Sequence, residues 1–333
     1  MKAILITEGG RRMGFGHITR CLALYNAFKR NGVLTRIVVS GDNSVKPLLK
    51  GVDFEILNWI NKKKYLVDLA GEFEIAVIDS YLAGTSIYEA IADSVKIAIY
   101  LDDNNRLRYP KGVIVNGAVY AHSIRYPQSK IRHYLLGAKY TPIREEFLAV
   151  RRKKIPKQVK IILITFGGDD MQNMTPKILE FLSEYYSFLN KKVVVGNGFM
   201  NKEDIKKASD ARTELLYNLS AKGMKELMMK SDIAIAAGGQ TLYELARVGV
   251  PTVAVAVAKN QLNNCNGWMK KGFLAYAGWH SDKRLNLRLS TCIERLLDYG
   301  HRVKCSNKGR KIIDAKGADR IAVESIKLAS NIK

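Results

Sequence analysis

Three glycine-bearing turns and one histidine carry most of the chemistry legible in this chain. The first turn, Glu8-Gly-Gly-Arg-Arg-Met-Gly-Phe-Gly16, runs directly into His17 and a helical pattern. Glycines such as Gly14 and Gly16 permit a tight strand-to-helix turn and let backbone N–H groups approach an anion, to which a helix N-terminus adds partial positive charge. A dinucleotide fingerprint would read G-x-G-x-x-G. Here Gly14-Phe-Gly16-His-Ile-Thr19 has threonine in place of the third glycine, which argues against a nicotinamide cofactor. His17 at the mouth of such a turn can take a proton from water near neutral pH, where the helix N-terminus favours neutral imidazole; the alternative is a capping or packing histidine.

The second turn, Phe166-Gly167-Gly168-Asp169-Asp170, precedes Thr175-Pro176. Thr175 is expected as N-cap and Pro176 as the first helical residue, with the glycines leaving room for a ligand or forming an ordinary turn. The third, Ala237-Gly238-Gly239-Gln240-Thr241, opens a helix carrying Glu244, and the next strand ends at Lys259-Asn260-Gln261. Amides at Gly239, Gln240 and Thr241 can bind a diphosphate, and an acid one turn in can accept from ribose hydroxyls. Asp79-Ser80-Tyr81 and Asp102-Asp103-Asn104 also end strands. Paired aspartates can hold a metal, but no third carboxylate or histidine stands near this pair, which leaves a turn or capping role; no metal is expected.

These groups need parallel sheets to bring them to one edge. Short Ile/Val runs alternate with helical-period segments throughout, which predicts an α/β chain of two doubly wound, Rossmann-like domains facing a cleft. Strands are expected near 3–7, 34–39, 75–79, 96–101 and 113–116, then 159–165, 192–196, 213–217, 232–236 and 252–257. Helices are expected at 17–30, 176–189, 221–230, 240–248 and 287–298. The basic, Pro-containing stretch 150–158 reads as a linker between domains 1–149 and 159–315, with a C-terminal helix over 316–333.

Composition sets the outer limits. The chain has 333 residues, 47% of them hydrophobic, enough for two cores and incompatible with disorder. Its four cysteines form no C-x-x-C pair, which points to reduced, cytoplasmic usage. The N-terminal apolar run is too short for a signal-peptide core of ~7–15 residues, and no stretch reaches the ~18–20 residues of a membrane span. Lys and Arg number 54 against 31 Asp and Glu, a formal charge of +23. Residues 1–150 hold 21 basic and 14 acidic side chains; residues 151–333 hold 33 and 17. The excess lies in scattered pairs such as Lys153-Lys154, Lys206-Lys207 and Lys270-Lys271, with few interleaved aromatics and no nucleic-acid motif, so no nucleic-acid partner is expected.

The ordered set Gly14-x-Gly16-His17-x-x-Arg20-Cys21-Leu22, Asp79-x-Tyr81, Leu101-Asp102-Asp103, Asn116, Tyr134 to Phe147, Phe166-Gly-Gly-Asp169, Ala237-Gly-Gly-Gln-Thr-Leu-Tyr-Glu244 and Asn260-Gln261 resembles the UDP-sugar hydrolases of pseudaminic acid biosynthesis. The likeness runs over most of residues 1–265. It implies the GT-B architecture, shared with the UDP-GlcNAc transferase that makes lipid II. It also implies UDP on the C-terminal domain, with Gly239, Gln240 and Thr241 at the diphosphate and Glu244 at the ribose. His17 would deprotonate a water that attacks the anomeric carbon with inversion, and Tyr81 and Asn260 would lie around sugar and water. Gly14, Gly16, Arg20, Gly167, Gly168 and Gln261 complete the expected substrate contacts, with Asp103 and Asn116 as further candidates and no cofactor.

One departure concerns the lead into the first turn, where Thr7-Glu8-Gly9-Gly10-Arg11-Arg12 replaces the Arg-Ala-Asp-Ala-Ser-like sequence of that family and opens the way to a different sugar or acceptor. The rival reading is a GT-B glycosyltransferase that moves the sugar to an acceptor. The basic, aromatic stretch Asn58-Trp-Ile-Asn-Lys-Lys-Lys-Tyr-Leu-Val67 would then rest on an anionic membrane.

Overall fold

In the computed structural model of the chain, which describes residues 1–333 apart from 12, 128, 152, 153 and 333, the Ile/Val runs form parallel strands buried along most of their length. The chain divides into two units, Met1–Glu145 with Ala315–Lys333, and Glu146–Asp314. The residues expected to end the first domain, 146–149, and the expected linker thus fall in the second unit, and the C-terminal helix belongs to the first. Arg12, Lys333 and the linker's Arg152 and Lys153 lie outside the described residues.

The first unit holds β1 (Lys2–Gly9), α1 (Gly16–Arg30), β2 (Leu34–Gly41), β3 (Phe54–Ile56), α2 (Lys63–Ala70), β4 (Ile75–Asp79), α3 (Thr85–Ser94), β5 (Ile97–Leu101), β6 (Gly112–Asn116) and β7 (Arg132–Leu136). Its sheet runs β3-β2-β1-β4-β5-β6-β7, all parallel. Alternate residues of the buried strands feed two cores. Leu5, Val77 and Ile99 pack with Leu24 and Phe28 of α1. Ile4, Ile78 and Tyr100 pack with Leu66 of α2 and Ile91 of α3. A strand with helices on both faces has no solvent side, which is why these segments read as continuous apolar runs.

The second unit holds β8 (Ile161–Thr165), α4 (Met174–Tyr185), β9 (Asn190–Val195), α5 (Lys202–Lys207), β10 (Thr213–Tyr217), α6 (Ala221–Lys230), β11 (Ile233–Ala237), α7 (Thr241–Val248), β12 (Thr252–Ala256), α8 (Leu262–Lys271), β13 (Leu274–Trp279), α9 (Leu285–Leu297) and α10 (Tyr299–Ile312). Its sheet runs β10-β9-β8-β11-β12-β13, again parallel. The last helix, α11 (Gly317–Ser330), returns to the first unit, where Ile321 and Ala322 join the core beneath α1. Arg30 of α1 ties it down through Asp319 at 2.6 Å and also reaches Glu145 at 2.9 Å.

In each unit the first strand lies between the second and the one that begins the other half: β1 between β2 and β4, β8 between β9 and β11. Successive helices leave such a switch point on opposite faces, so loops part there and a crevice opens at the C-terminal ends of the strands. The turns after β1 and β4, and those after β8 and β11, are among the ones the sequence marks.

Expected strands at 75–79 and 213–217 and the helix at 221–230 match residue for residue. The expectations omit β3, β7 and β13. The edge strands β3 and β7 expose or half-expose nearly every residue, so they lack the buried apolar run that betrays a strand. Trp59, expected on a membrane-facing stretch, is fully buried and donates its indole N–H to the Thr7 carbonyl at 3.0 Å, so it presents no aromatic surface.

Candidate functional site

In the first unit the end of β4 and the start of α1 converge. Thr7 and Asp79 are paired in register across β1 and β4, which brings the Gly9–Gly16 turn beside Asp79. The turn closes through a reciprocal pair, Gly10 N–H to the Gly14 carbonyl at 3.1 Å and Gly14 N–H to the Gly10 carbonyl at 2.9 Å, with Gly14 at φ +75°. A Cβ placed on Gly14 or Gly16 would meet no protein atom within 4 Å, so packing within this chain does not account for either glycine's missing side chain.

His17 and Arg20 stand three residues apart on α1 and so share a face. Both reach Asp79. His17 Nδ1 lies 2.6 Å from Asp79 Oδ1, and Arg20 donates to the same carboxylate through Nη2 at 2.6 Å and Nε at 2.9 Å. Arg20 Nη1 forks onto Asp103 at 2.8 and 2.9 Å, and the Tyr81 hydroxyl donates to Asp103 at 2.8 Å. The Tyr81 ring stands edge-on to the His17 imidazole, centroids 4.8 Å apart.

Asp79 is buried, which opposes its charge, but Arg20 and His17 outweigh that and hold its carboxyl below the usual carboxylate range. Burial likewise opposes the Arg20 charge, and Asp103 and Asp79 more than offset it. Arg20 Nη2 also stands 3.0 Å from His17 Nδ1, but an ionised carboxylate only accepts hydrogen bonds, so the shorter 2.6 Å contact to Asp79 favours the tautomer with the proton on Nδ1 and Nε2 able to accept one. The cluster sets one guanidinium against two carboxylates.

Arg20, expected as a substrate contact, directs its guanidinium onto Asp79 and Asp103. The Asp102-Asp103 pair does not form a joint metal site. Asp102 turns inward, accepting from the Asn105 N–H at 2.6 Å, the Tyr109 hydroxyl at 2.8 Å and the Tyr126 hydroxyl, while Asp103 faces Arg20 and Tyr81. Adjacent residues leaving a strand point to opposite sides, and each carboxylate is engaged on its own. Asn116 is buried and caps its own turn through the Ala118 N–H at 3.0 Å.

Glu8 was not among the expected site residues. It is buried beneath the turn after β4, where it accepts from the Ser80 hydroxyl, the Tyr81 N–H at 2.7 Å and the Leu82 N–H at 3.3 Å, fixing the backbone that carries Tyr81. The signal for it was an acid at the end of an otherwise apolar strand, a position that demands partners.

In the second unit α7 begins at Thr241, one residue after Gln240 and two after Gly239. A Cβ on Gly239 would meet only the Gln261 amide nitrogen, at 3.9 Å, so the space beside this helix start is open. Glu244 is buried in the first turn of α7, whereas Asn260 is exposed in the one-turn helix Lys259–Gln261. Gln261, expected to contact substrate, also braces the scaffold: its carbonyl oxygen accepts from the Gly238 and Val257 N–H groups, each at 3.0 Å, tying the ends of β11 and β12 together.

The turn after β8 is pre-shaped by its neighbour. Gly167 has φ +83° and open space at its Cβ position, and a Cβ on Gly196 would come within 2.5 Å of the Gly168 carbonyl, so the loop after β9 must stay bare for this turn to sit where it does. Asp169 is half-buried, and burial together with Asp170 pushes its carboxyl up. The helix beyond starts one residue ahead of Thr175, and the expected threonine cap is replaced by Asp170, whose carboxylate accepts from the Met174 and Thr175 N–H groups, both at 2.9 Å. Among the described residues, no group of three or more His, Cys, Asp or Glu side chains gathers as a metal ion would need.

No protein-family model matches the chain. It is 26% identical over 285 residues, 81% of its length, to an uncharacterized protein of Methanocaldococcus jannaschii, MJ1062. It is 26% identical over 254 residues, 75% of its length, to the pseudaminic acid cytidylyltransferase and UDP-2,4-diacetamido-2,4,6-trideoxy-β-L-altropyranose hydrolase of Helicobacter pylori. The chain spans 59% and 43% of those two longer proteins. The UDP-2,4-diacetamido-2,4,6-trideoxy-β-L-altropyranose hydrolase of Campylobacter jejuni is 21% identical over 283 residues, 82% of this chain and 98% of that protein. Among solved structures, MurG of Acinetobacter baumannii superposes with a TM-score of 0.69 at 15% identity, covering 98% of this chain and 100% of that one. MnaA of Staphylococcus aureus, solved with UDP, also gives 0.69 at 15% identity, covering 100% and 98%. The chain has the GT-B fold and is similar, at 26% and 21% identity, to two UDP-2,4-diacetamido-2,4,6-trideoxy-β-L-altropyranose hydrolases.

Proposed function

We propose that the protein is a nucleotide-sugar hydrolase that releases UDP from a UDP-linked 2,4-diacetamido-2,4,6-trideoxyhexose. The observation that carries this reading is His17 held by buried, ionised Asp79 through Nδ1, which leaves Nε2 as the proton acceptor. The names of the Helicobacter and Campylobacter relatives support the substrate.

In the proposed reaction Nε2 of His17 takes a proton from water as its oxygen attacks the anomeric carbon. The bond from that carbon to the diphosphate oxygen breaks, its electron pair leaves with UDP, and the sugar is released with inverted configuration. The imidazolium formed on His17 is balanced by Asp79, in the way a buried carboxylate supports histidine in hydrolytic triads. UDP is a stable leaving group that needs its charge stabilised rather than protonated. The helix start at Gly239, Gln240 and Thr241 supplies that stabilisation, and Glu244 takes the ribose hydroxyls. Gly14, Gly16, Gly167 and Gly168 leave room for substrate, and Tyr81 and Asn260 contact the sugar and the water.

The test is incubation with the UDP-sugar alone. Release of UDP at an enzymatic rate without acceptor, lost in His17→Ala with UDP binding retained, supports hydrolysis. Release only when an acceptor is added would make the protein a glycosyltransferase instead, a reading compatible with the MurG-like fold.

A further inference from the structure

The N-terminal edge of the second unit's sheet carries an unbalanced row of lysines. Because all six strands are parallel, the residues that lead into them lie along one edge, opposite the turns at Gly167 and Gly239. Lys157 and Lys160 lead into β8, Lys230 into β11, and Lys270 and Lys271 into β13, all exposed. The helix α10 lies across the same edge. Its Arg302 donates to the Pro156 and Lys157 carbonyls at 2.8 Å ahead of β8. A Cβ on Gly249, ahead of β12, would come within 2.5 Å of Ser306, and one on Gly272, ahead of β13, within 2.5 Å of Lys308 Nζ. The exposed side of α10 adds Lys304, Lys308 and Lys311, spaced to fall on one stripe.

None of these lysines has an ion-pair partner among the described residues. The nearby acids are occupied by backbone: Asp232 accepts from the Lys160 and Ile161 N–H groups at 2.9 Å, and Asp298 caps α10 through the His301 N–H at 2.6 Å. The lysines also reach one another's surroundings: the His301 imidazole is held below its usual range by burial, with Arg295, Lys304 and Lys308 adding to the effect against Asp298.

We propose that this edge docks the protein on an anionic lipid surface. Lysine ammoniums are compact, mobile charges suited to a smeared layer of headgroups, whereas nucleic-acid recognition draws on guanidinium forks and stacked rings. Tyr299 offers little for stacking, since Arg302 already stands over its ring at 5.9 Å. Met269, directly before the lysine pair that ends α8, is 43% exposed and gives the edge an apolar tip. These residues are distinct from the nucleotide loops, so the inference stands whether or not the proposed reaction is right.

The experiment is co-sedimentation of the full chain with vesicles of mixed phosphatidylglycerol and phosphatidylcholine, and with phosphatidylcholine alone, at low salt and near 1 M salt, where the screening length falls to ~3 Å. Binding only to the anionic vesicles, abolished by salt and weakened about 100-fold in K304Q/K308Q/K311Q at about 5-fold per lysine, is the expected result. Circular dichroism and the melting temperature report that this variant is folded, and K230Q/K270Q/K271Q provides a second, independent weakening. No partition at low salt, partition untouched by both variants, or release of the protein from vesicles by duplex DNA at equal phosphate concentration would overturn the proposal, the last in favour of a nucleic-acid partner.

Discussion

His17 Nδ1 lies 2.6 Å from Asp79 Oδ1, and the two residues come from elements 62 positions apart, the first turn of α1 and the last residue of β4. Asp79 holds the imidazole in one tautomer and offsets the charge it gains. Asp79→Asn keeps the shape but accepts and donates equally well, so the wrong tautomer becomes available. We expect kcat to fall about 1,000-fold, toward the loss seen for the equivalent change in hydrolytic triads, with UDP affinity unchanged. Single-turnover assays and UDP titration check the two halves of this statement.

Gly16→Ala separates a ligand-space role from a packing role. The new methyl meets no protein atom within 4 Å, and alanine suits a helix start better than glycine. The melting temperature should hold or rise while the apparent affinity for the UDP-sugar falls at least tenfold. Equal affinity in the variant would show that the glycine leaves no space the substrate uses.

Glu244→Ala removes a buried acid from the first turn of α7. If it holds ribose hydroxyls, UDP affinity falls by about 1–3 kcal/mol, the cost of leaving polar groups unpaired. Isothermal titration with UDP, and with 2′-deoxy-UDP as a comparison whose affinity changes less in the variant, reads this directly.

Asp170→Ala strips the cap from α4, leaving the Met174 and Thr175 N–H groups without their acceptor. A loss of about 1–2 kcal/mol from the second unit is expected by urea denaturation. Thr175→Ala, at the residue the pattern suggests as cap, should cost less, because its own hydroxyl has no hydrogen-bond partner.

Acid sensitivity of the first unit follows from Asp79. Its carboxyl is held below the ordinary value in the folded state, so the stabilisation it contributes is fully present above the unfolded value, near pH 4, and is lost as pH falls from there through the folded value. Thermal melts between pH 6 and about pH 3 should show a steeper decline for the native chain than for Asp79→Asn, in which this titration is absent.

Much of the architecture was written in local pattern. Strands such as Ile75–Asp79 and helices such as Ala221–Lys230 stand out because burial on both faces demands unbroken apolar runs and one-sided burial demands a helical period. The edge strands Phe54–Ile56 and Arg132–Leu136 were illegible because an edge position relaxes that demand. The glycine turns and His17 were equally visible, since a residue without a side chain, or one that titrates near neutrality, signals chemistry by its type alone.

Partnership could not be read that way. Arg20, expected as a substrate contact, clamps Asp79 to Asp103; Gln261, expected at the ligand, ties two strand ends together through its carbonyl oxygen; Glu8, legible only as a departure in the lead into the first turn, holds the Tyr81 turn. Sequence by itself determined which residue types stand at the ends of which strands. Only the tertiary structure decided which of them face one another, because hydrogen bonds depend on distances of a few tenths of an ångström between atoms that register and strand order, not chain spacing, bring together.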